Sequence, residues 1–316
     1  MERSPDRCRM LPTEGRFLQQ IGPTPLVPVR LSPDAPSIWC KLEFLNPSGS
    51  TKDRIARYML EKAWRQGVLT LGGKVVEASS GSTSIALALA CAQMGLNFTA
   101  VMPEGVTEER VLTIRAYGGT VTFVPKAEGI RGAIARAEAL SRETGAYWPR
   151  QFENPDNPEA HRVWTGQEIL SQIPCGAVDA VVSGVGTGGT LVGLYEAFKE
   201  AGCNVLPIAA RPISGKLGGD VECCSFSSRV PGVVDGLSRL YDESKLEGLL
   251  VRNIDDEVAV QTARALIRLG FPVGPSSGLN YAAAVEQAQA LGPSAQVVTI
   301  FPDRMERYFS TDLIAR

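Results

Sequence analysis

The 316-residue sequence contains a single histidine, His161, and this scarcity excludes several kinds of active site. A metal site built from several histidines cannot form within one chain, and a serine hydrolase would have to use His161 as its base. No nucleophile lies near His161 in the sequence, so we expect a structural histidine. The seven cysteines are odd in number and include no Cys-x-x-Cys pair, which argues against a disulfide framework and a zinc site.

The chain also lacks a charge imbalance and a long apolar run. Its 32 basic and 34 acidic residues leave a net charge of −2, which gives no electrostatic reason to bind nucleic acid or an anionic membrane. No window approaches the roughly 18 apolar residues of a membrane span, and the charged N-terminal segment is unlike a signal peptide. We therefore expect a cytoplasmic protein that acts on small molecules.

Short β-branched and apolar runs alternate with helical patterns along the chain. The predicted strands are 74–76, 98–102, 121–124, 180–182 and 296–300, and the predicted helices are 55–66, 84–94, 108–117, 132–142, 190–200, 258–268 and 281–290. This alternation predicts an α/β protein with mainly parallel, doubly wound sheets and helices on both faces. The loop-like stretch 149–158 suggests two domains, 1–150 and 151–316.

Four turns rich in glycine and serine precede predicted helices, and ligands bind at such turns in open α/β sheets. The first turn leads into Lys52. Asn46-Pro47 marks a turn, and Ser50 is suited to cap the following helix, so Lys52 falls in its first turn. The helix dipole disfavours a cation there, which lowers the cost of the neutral amine that a Schiff-base lysine requires. The alternative is an ordinary solvated lysine.

The second and fourth turns present hydroxyl groups at helix starts. Five of the six residues of Ser79–Ser84 carry a hydroxyl, and a helix start of this kind suits a carboxylate or phosphate. Gly274–Gly278 precedes the helical run 279–290 and contains Ser276. A simple polar helix cap remains an alternative for both turns.

The third turn, Gly184–Thr190, follows a predicted strand, and its backbone N–H groups can converge on a phosphate. The same string matches the Gly-x-Gly-x-x-Gly pattern of dinucleotide-binding proteins, with Arg211 near the end of the next strand as a possible selector for NADP. An NADP-dependent oxidoreductase is therefore a rival interpretation. It leaves Lys52 and the Ser79–Ser84 turn unexplained.

Taken in order, these segments resemble the cysteine synthase, or β-substituted alanine synthase, branch of the fold-type-II enzymes that use pyridoxal 5′-phosphate (PLP). The resemblance runs from Ile21–Val27 to 306–311 and covers nearly the whole chain. It implies a tryptophan synthase β-like fold with PLP in the cleft between two α/β domains. It also implies that part of the first domain, roughly residues 96–145, moves to close the site.

The resemblance also implies roles for individual residues. Lys52 is the PLP lysine and removes the α-proton of the substrate. The implied cofactor-binding residues are Lys52, Ser82, Gly186, Thr187, Gly188, Gly189, Thr190 and Ser276. The implied residues for the substrate carboxylate are Ser79, Ser80, Thr83 and Gln151. A neutral Ser276 hydroxyl beside the pyridine nitrogen moderates the electron sink and favours α,β-elimination chemistry.

The implied reaction is replacement of the β-substituent of O-acetylserine or O-phosphoserine by sulfide or a related nucleophile. The resemblance also implies a homodimer, with serine acetyltransferase as a partner protein. The sequence departs from the family at Ser82, where asparagine is usual, and at Arg211 and Asp235. These departures leave open an L-cysteine desulfhydrase, whose family members share the Ser-Ser-Gly-Ser-Thr version of the loop. A catalytically weakened homologue that binds a partner is a further alternative.

Overall fold

The computed structural model describes residues 17–214, 227, 229–233 and 236–314. The strands in these residues are β1 (Leu26–Val29), β2 (Ile38–Lys41), β3 (Lys74–Ala78), β4 (Asn97–Pro103), β5 (Thr120–Val124), β6 (Ala180–Gly184), β7 (Leu206–Ile213), β8 (Leu250–Asp255) and β9 (Val297–Ile300). The α-helices are α1 (Lys52–Arg65), α2 (Ser82–Met94), α3 (Glu108–Ala116), α4 (Gly129–Thr144), α5 (Asp156–Ala160), α6 (Gln167–Gln172), α7 (Gly189–Glu200), α8 (Asp256–Arg268) and α9 (Pro275–Leu291). None of these helices is long and apolar enough to cross a membrane.

The strands form two sheets. The smaller sheet has the order β3-β4-β5 and is parallel throughout. The larger has the order β1-β2-β9-β6-β7-β8, and only its β1–β2 pair is antiparallel. The predicted α/β class with mainly parallel sheets is confirmed.

Helices cover both faces of the smaller sheet because neighbouring side chains on a strand point to opposite sides. Val75 packs in a core cluster with Leu87 of α2, while the next residue, Val76, packs with Ala133 of α4. The strand therefore has no solvated face, which explains its run of apolar residues.

The larger sheet is covered in the same way. Val181 of β6 packs with Leu194 of α7, and its neighbour Val182 packs with Leu279 of α9. Both sheets are thus doubly wound, and the turns at the carboxyl ends of their strands remain free to form a site.

Each predicted strand and helix is present in the structure, with differences at its ends. We expected Ser276 to lie before the helix of the fourth turn. That helix begins at Pro275, so Ser276 lies in its first turn. Proline is well suited to the first helical position because its missing N–H has no partner there in any case.

The larger sheet also takes strands from the start of the chain. β2 pairs with β9, in the register Trp39 to Val298, so residues 26–41 lie in one sheet with residues 180–300. A division at residue 150 would assign them to the first domain. The chain thus passes from the larger sheet to the smaller one and back again.

Candidate active site

A cavity of about 1100 Å³, counting its mouth open to solvent, lies where the predicted turns meet. Ser79 follows β3, Gly184 ends β6 and Pro302 follows β9, and all three residues line it. It is therefore at the carboxyl ends of parallel strands from both sheets, where ligands bind in α/β proteins.

All four predicted turns contribute to this cavity. The predicted site residues that line it are Lys52, Ser79, Ser80, Ser82, Thr83, Gln151, Gly186, Thr187, Thr190 and Ser276. Gly188 and Gly189 are not among the lining residues, but they form the start of α7 directly beside Thr187 and Thr190. The structure thus brings together residues that are up to 224 positions apart, from 52 to 276.

Lys52 is the first residue of α1 and is half-buried in the cavity. The Lys52 backbone N–H donates a hydrogen bond of 3.3 Å to the Ser50 hydroxyl. The N-cap residue is nevertheless Thr51, whose side chain makes no capping bond, so the predicted cap at Ser50 lies one residue too early. Burial lowers the pKa of the Lys52 amine, while the charges of Asp303 and Glu43 act in the opposite direction. The burial of Lys52 therefore favours its neutral amine.

A buried ion cluster lies behind Lys52. Arg54 of α1 contacts Glu43 at 2.6 Å and Glu168 of α6 at 2.7 Å, and Lys41 contacts Glu168 at 2.8 Å. Burial raises the pKa of Glu43, but the Arg54 guanidinium outweighs this effect and lowers the pKa to about 2. The cluster fixes the start of α1 to β2 and to α6.

The Ser79–Ser84 turn is held by its own side chains. The Ser79 hydroxyl accepts hydrogen bonds from the backbone N–H of Gly81 and of Ser84, at 2.9 and 3.2 Å. The Thr83 hydroxyl donates to Gln151 Oε1 at 2.6 Å, so two residues expected at the same substrate group are in direct contact.

The glycine turn that opens α7 offers free donors. Within the described part of the chain, the backbone N–H groups of Gly186, Thr187 and Gly188 have no acceptor. A Cβ at Gly186 would lie 2.4 Å from the Gly232 carbonyl oxygen, so no larger residue fits here. Unpaired N–H groups at a helix start form an anion site.

These features fit PLP. The free N–H groups suit its phosphate, Lys52 offers a half-buried amine with a lowered pKa, and Ser276 presents a hydroxyl at the start of α9. Each of the three groups lines or borders the same cavity, as a single bound molecule requires.

Sequence reasoning missed several residues that line the cavity, notably Arg110, Asp303, Tyr308 and Asn280. Asp303 had an available signal, because it follows a strand of the parallel sheet. Arg110 had none, since it lies in the charged start of α3 and reaches the cavity only through the fold. Its guanidinium donates to the Ser80 carbonyl at 3.2 Å and lies over the Tyr308 ring, 5.1 Å from the centroid.

Some residues singled out in the sequence lie away from the cavity or outside the described residues. Arg211 is on β7 and borders a second cavity, which meets the glycine turn at Gly186. Asp235 lies outside the described residues. His161 is buried and contacts the hydroxyls of Thr165 and Thr190.

Comparisons with known proteins point to one family. A family model described as pyridoxal-phosphate dependent enzyme matches residues 17–303. A cysteine synthase of Staphylococcus aureus is 37% identical over 302 residues, which cover 93% of this chain and 95% of that protein.

Solved structures agree as well. An O-acetylserine-dependent cystathionine β-synthase from Helicobacter pylori superposes with a TM-score of 0.83 at 32% identity, covering 93% of this chain and 97% of that one. A hydrogen sulfide-producing enzyme from Fusobacterium nucleatum has a TM-score of 0.84 at 33% identity, covering 94% and 90%. The NADP interpretation of the glycine turn is not supported. This chain belongs to the family of pyridoxal-phosphate dependent enzymes and is a PLP-dependent enzyme of the cysteine synthase type.

Proposed function

We propose that the enzyme replaces the β-substituent of an O-activated L-serine, either O-acetyl-L-serine or O-phospho-L-serine, with sulfide or a related small nucleophile. The product is L-cysteine or an analogue. One observation carries the proposal: the half-buried Lys52 shares its cavity with a hydroxyl-rich turn and an anion site. The names of the S. aureus and H. pylori proteins point to the same chemistry.

When bound, PLP supplies an electron sink that stabilises negative charge developing at the substrate Cα. The backbone N–H groups of 186–189 and the hydroxyls of Thr187 and Thr190 would hold its phosphate at the start of α7. Ser276 would place a neutral hydroxyl at the pyridine nitrogen, and Ser82 would contact the ring substituents. Support comes from the free donors of the turn and from the position of Ser276 in the cavity.

Four residues would bind the α-carboxylate of the amino acid: Ser79, Ser80, Thr83 and Gln151. Two of them, Thr83 and Gln151, already contact each other, and all four line the cavity. Hydroxyl, amide and backbone N–H donors at the start of α2 suit a carboxylate.

Lys52 would take the proton from the substrate Cα and could then pass it to the departing β-substituent. An amine must be neutral to accept a proton, and burial lowers the pKa of Lys52, which favours the neutral form. The turn around Lys52 is rigid: the Ser48 N–H donates to Asp53 at 2.8 Å, and the Thr51 N–H donates to the Pro302 carbonyl at 2.8 Å. This rigidity keeps the amine in place during the reaction.

The second candidate is β-elimination of sulfide from L-cysteine, favoured by the similarity to the hydrogen sulfide-producing enzyme of F. nucleatum. Product analysis separates the two. Replacement converts O-acetylserine and sulfide to cysteine and acetate, or O-phosphoserine and sulfide to cysteine and phosphate. Elimination converts cysteine and water to pyruvate, ammonia and sulfide. Net cysteine supports our proposal, and pyruvate from cysteine as the dominant product would overturn it.

We also propose that the enzyme is a cytoplasmic homodimer that binds serine acetyltransferase. The family resemblance supports dimerisation and this partner, and the free thiols of Cys40, Cys91, Cys175 and Cys203 suit a reducing compartment. Light scattering with and without serine acetyltransferase tests both associations. Rapid turnover of a serine ester by this protein would exclude the alternative of a catalytically weakened homologue that binds a partner.

Finally, we propose that the chain forms two domains that divide near residue 150, apart from β1 and β2, which lie in the larger sheet, and that residues 96–145 move during closure. Such a movement would act on the hydrogen bonds that join the start of α3 to the C-terminal segment. Thr107 donates to the Arg307 carbonyl at 2.9 Å, and Ser310 donates to Glu109 at 3.0 Å. Slower proteolysis within 96–145 when substrate is added would test it.

A further inference from the structure

Glu77, at the end of β3, is a fully buried carboxyl group that the proposed reaction does not use. Its side chain is 1% exposed. It accepts hydrogen bonds from the Ala78 N–H at 2.8 Å, from Trp148 Nε1 at 3.0 Å and from the Gln151 N–H at 3.1 Å. All of its partners are donors, so the ionised, acceptor-only form fits them.

The burial of Glu77 has a cost. Burial raises the pKa of its carboxyl to about 7, and the hydrogen bonds from its neighbours only partly offset this. An apolar residue would fill the same space without that penalty.

Glu77 holds the turn that presents Gln151. The residue before Gln151, Arg150, has φ of 55°, in the left-handed region that non-glycine residues rarely adopt. Such a conformation persists only where the surroundings impose it, and here Glu77 accepts hydrogen bonds from residues on both sides of Arg150, namely from the indole N–H of Trp148 and from the backbone N–H of Gln151. The strained residue turns the Gln151 side chain into the cavity.

The Gln151 backbone is held from its other side as well. Asn157 Nδ2 donates to the Gln151 carbonyl at 2.8 Å and to the Thr187 hydroxyl at 2.9 Å. The Gln151 amide group in turn accepts from Thr83 at 2.6 Å and donates to the Ala78 carbonyl at 2.6 Å. One N–H of the amide remains for a ligand in the cavity.

We propose that Glu77 is a positioning residue that, through Gln151, sets the affinity of the site for the carboxylate of the amino-acid substrate. Glu77 does not touch the cavity; Gln151 does. The proposal rests on the function proposed above, in which Gln151 binds that carboxylate. Asn157, which also contacts Thr187, has a broader role, because it joins the Gln151 turn to the phosphate side of the site.

The test compares Glu77→Gln with wild type in the PLP-loaded enzyme. Glutamine has the same shape but turns one acceptor oxygen into a donor, which faces an N–H group and disturbs the Gln151 turn. We expect KM for O-acetylserine to rise about tenfold, with kcat changed less than about threefold and PLP affinity unchanged. The control Glu104→Gln, an exposed residue after β4, should change none of these values.

The affinities for L-alanine and ethylamine, measured through the absorbance of bound PLP, separate a positioning role of Glu77 from a general disturbance of the site. Glu77→Gln should weaken L-alanine about tenfold and leave ethylamine, which lacks the carboxylate, unaffected. Glu77→Asp, which keeps the charge, should recover part of the loss. Equal loss for both ligands, or no loss for L-alanine, would overturn the proposal.

Gln151→Ala distinguishes the failure of this inference from failure of the proposed function. If Gln151→Ala weakens the binding of L-alanine but Glu77→Gln does not, the proposed function stands and the proposed role of Glu77 is wrong. If neither variant weakens L-alanine, Gln151 does not bind the carboxylate, and both fail. Asn157→Ala should weaken the binding of PLP as well as that of L-alanine, because this variant also loses the contact with Thr187.

Discussion

The Ser82 hydroxyl donates a hydrogen bond of 3.1 Å to the carboxylate of Asp303, a residue 221 positions away. The same carboxylate oxygen accepts from the Tyr308 hydroxyl at 2.8 Å. Ser82 therefore ties the start of α2 to the segment after β9, and both residues line the cavity.

We expect the Ser82–Asp303 bond to contribute about 1 kcal/mol to stability, as partly buried hydrogen bonds do. Urea unfolding of wild type, Ser82→Ala, Asp303→Ala and the double variant measures it as a coupling energy. The two single changes should not add, because each removes the same bond. Strict additivity would show that the hydroxyl and the carboxylate do not interact in solution.

Replacement of Lys52 by alanine should abolish turnover and the absorbance band of lysine-bound PLP at the visible–ultraviolet border. Lys52 makes no side-chain hydrogen bond or ion pair among the described residues, so the thermal midpoint of the apoenzyme should change little. Lys74→Ala is the matched control, since Lys74 is exposed at the start of β3. It should keep both the band and full activity.

The single histidine makes one pKa directly observable. Burial, together with the charge of Lys52, lowers the pKa of His161 to about 3, well below its ordinary value of about 6.5. The unfolded chain thus binds a proton below pH 6.5 that the folded chain does not. Stability should be unaffected above pH 6.5 and should fall toward pH 3 by up to about 1.4 kcal/mol per pH unit.

In NMR spectra the imidazole signals of the folded protein should stay constant between pH 8 and 5, and those of the urea-unfolded chain should titrate near 6.5. His161→Asn should lessen the loss of stability at acid pH relative to wild type. Titration of the folded imidazole near pH 6.5 would show that His161 is not buried as described.

Local chemistry explains why half of the site could be predicted. Lys52 and Ser79–Thr83 stand at turns where glycine, serine and a following helical pattern are visible in the sequence. Ser276 was found for the same reason, although the proline at the first helical position already marked the earlier start of α9.

The other half depends on contacts distant in sequence. β2 is only four residues long and includes Lys41, so its pattern does not indicate a strand that joins β9. Arg110 and Asp303 reach the cavity because α3 packs beside the segment after β9. No spacing along the chain encodes that neighbourhood, since it arises from the pairing of strands and the packing of helices.

The buried Arg54 provides the last prediction. It donates to both carboxylate oxygens of Glu43 and to both of Glu168, and its side chain is 1% exposed. Arg54→Met should cost about 3–5 kcal/mol, because it leaves the buried Glu43 without its main partner. Arg54→Lys should recover little, since a lysine ammonium cannot bind two carboxylates in this planar arrangement.

Arg142→Ala is the matched control: Arg142 pairs with Glu138 on the exposed face of α4, and exposed pairs contribute less than about 1 kcal/mol. Thermal unfolding should therefore show a drop of about 10 °C for Arg54→Met and about 2 °C or less for Arg142→Ala. Because Arg54 follows Lys52 by two residues in the first turn of α1, the loss should also reach the active site. At temperatures below its unfolding midpoint, the Arg54→Met variant should bind PLP more weakly than wild type. Equal PLP affinity in Arg54→Met and Arg142→Ala would show that the ion cluster stabilises the fold without fixing Lys52.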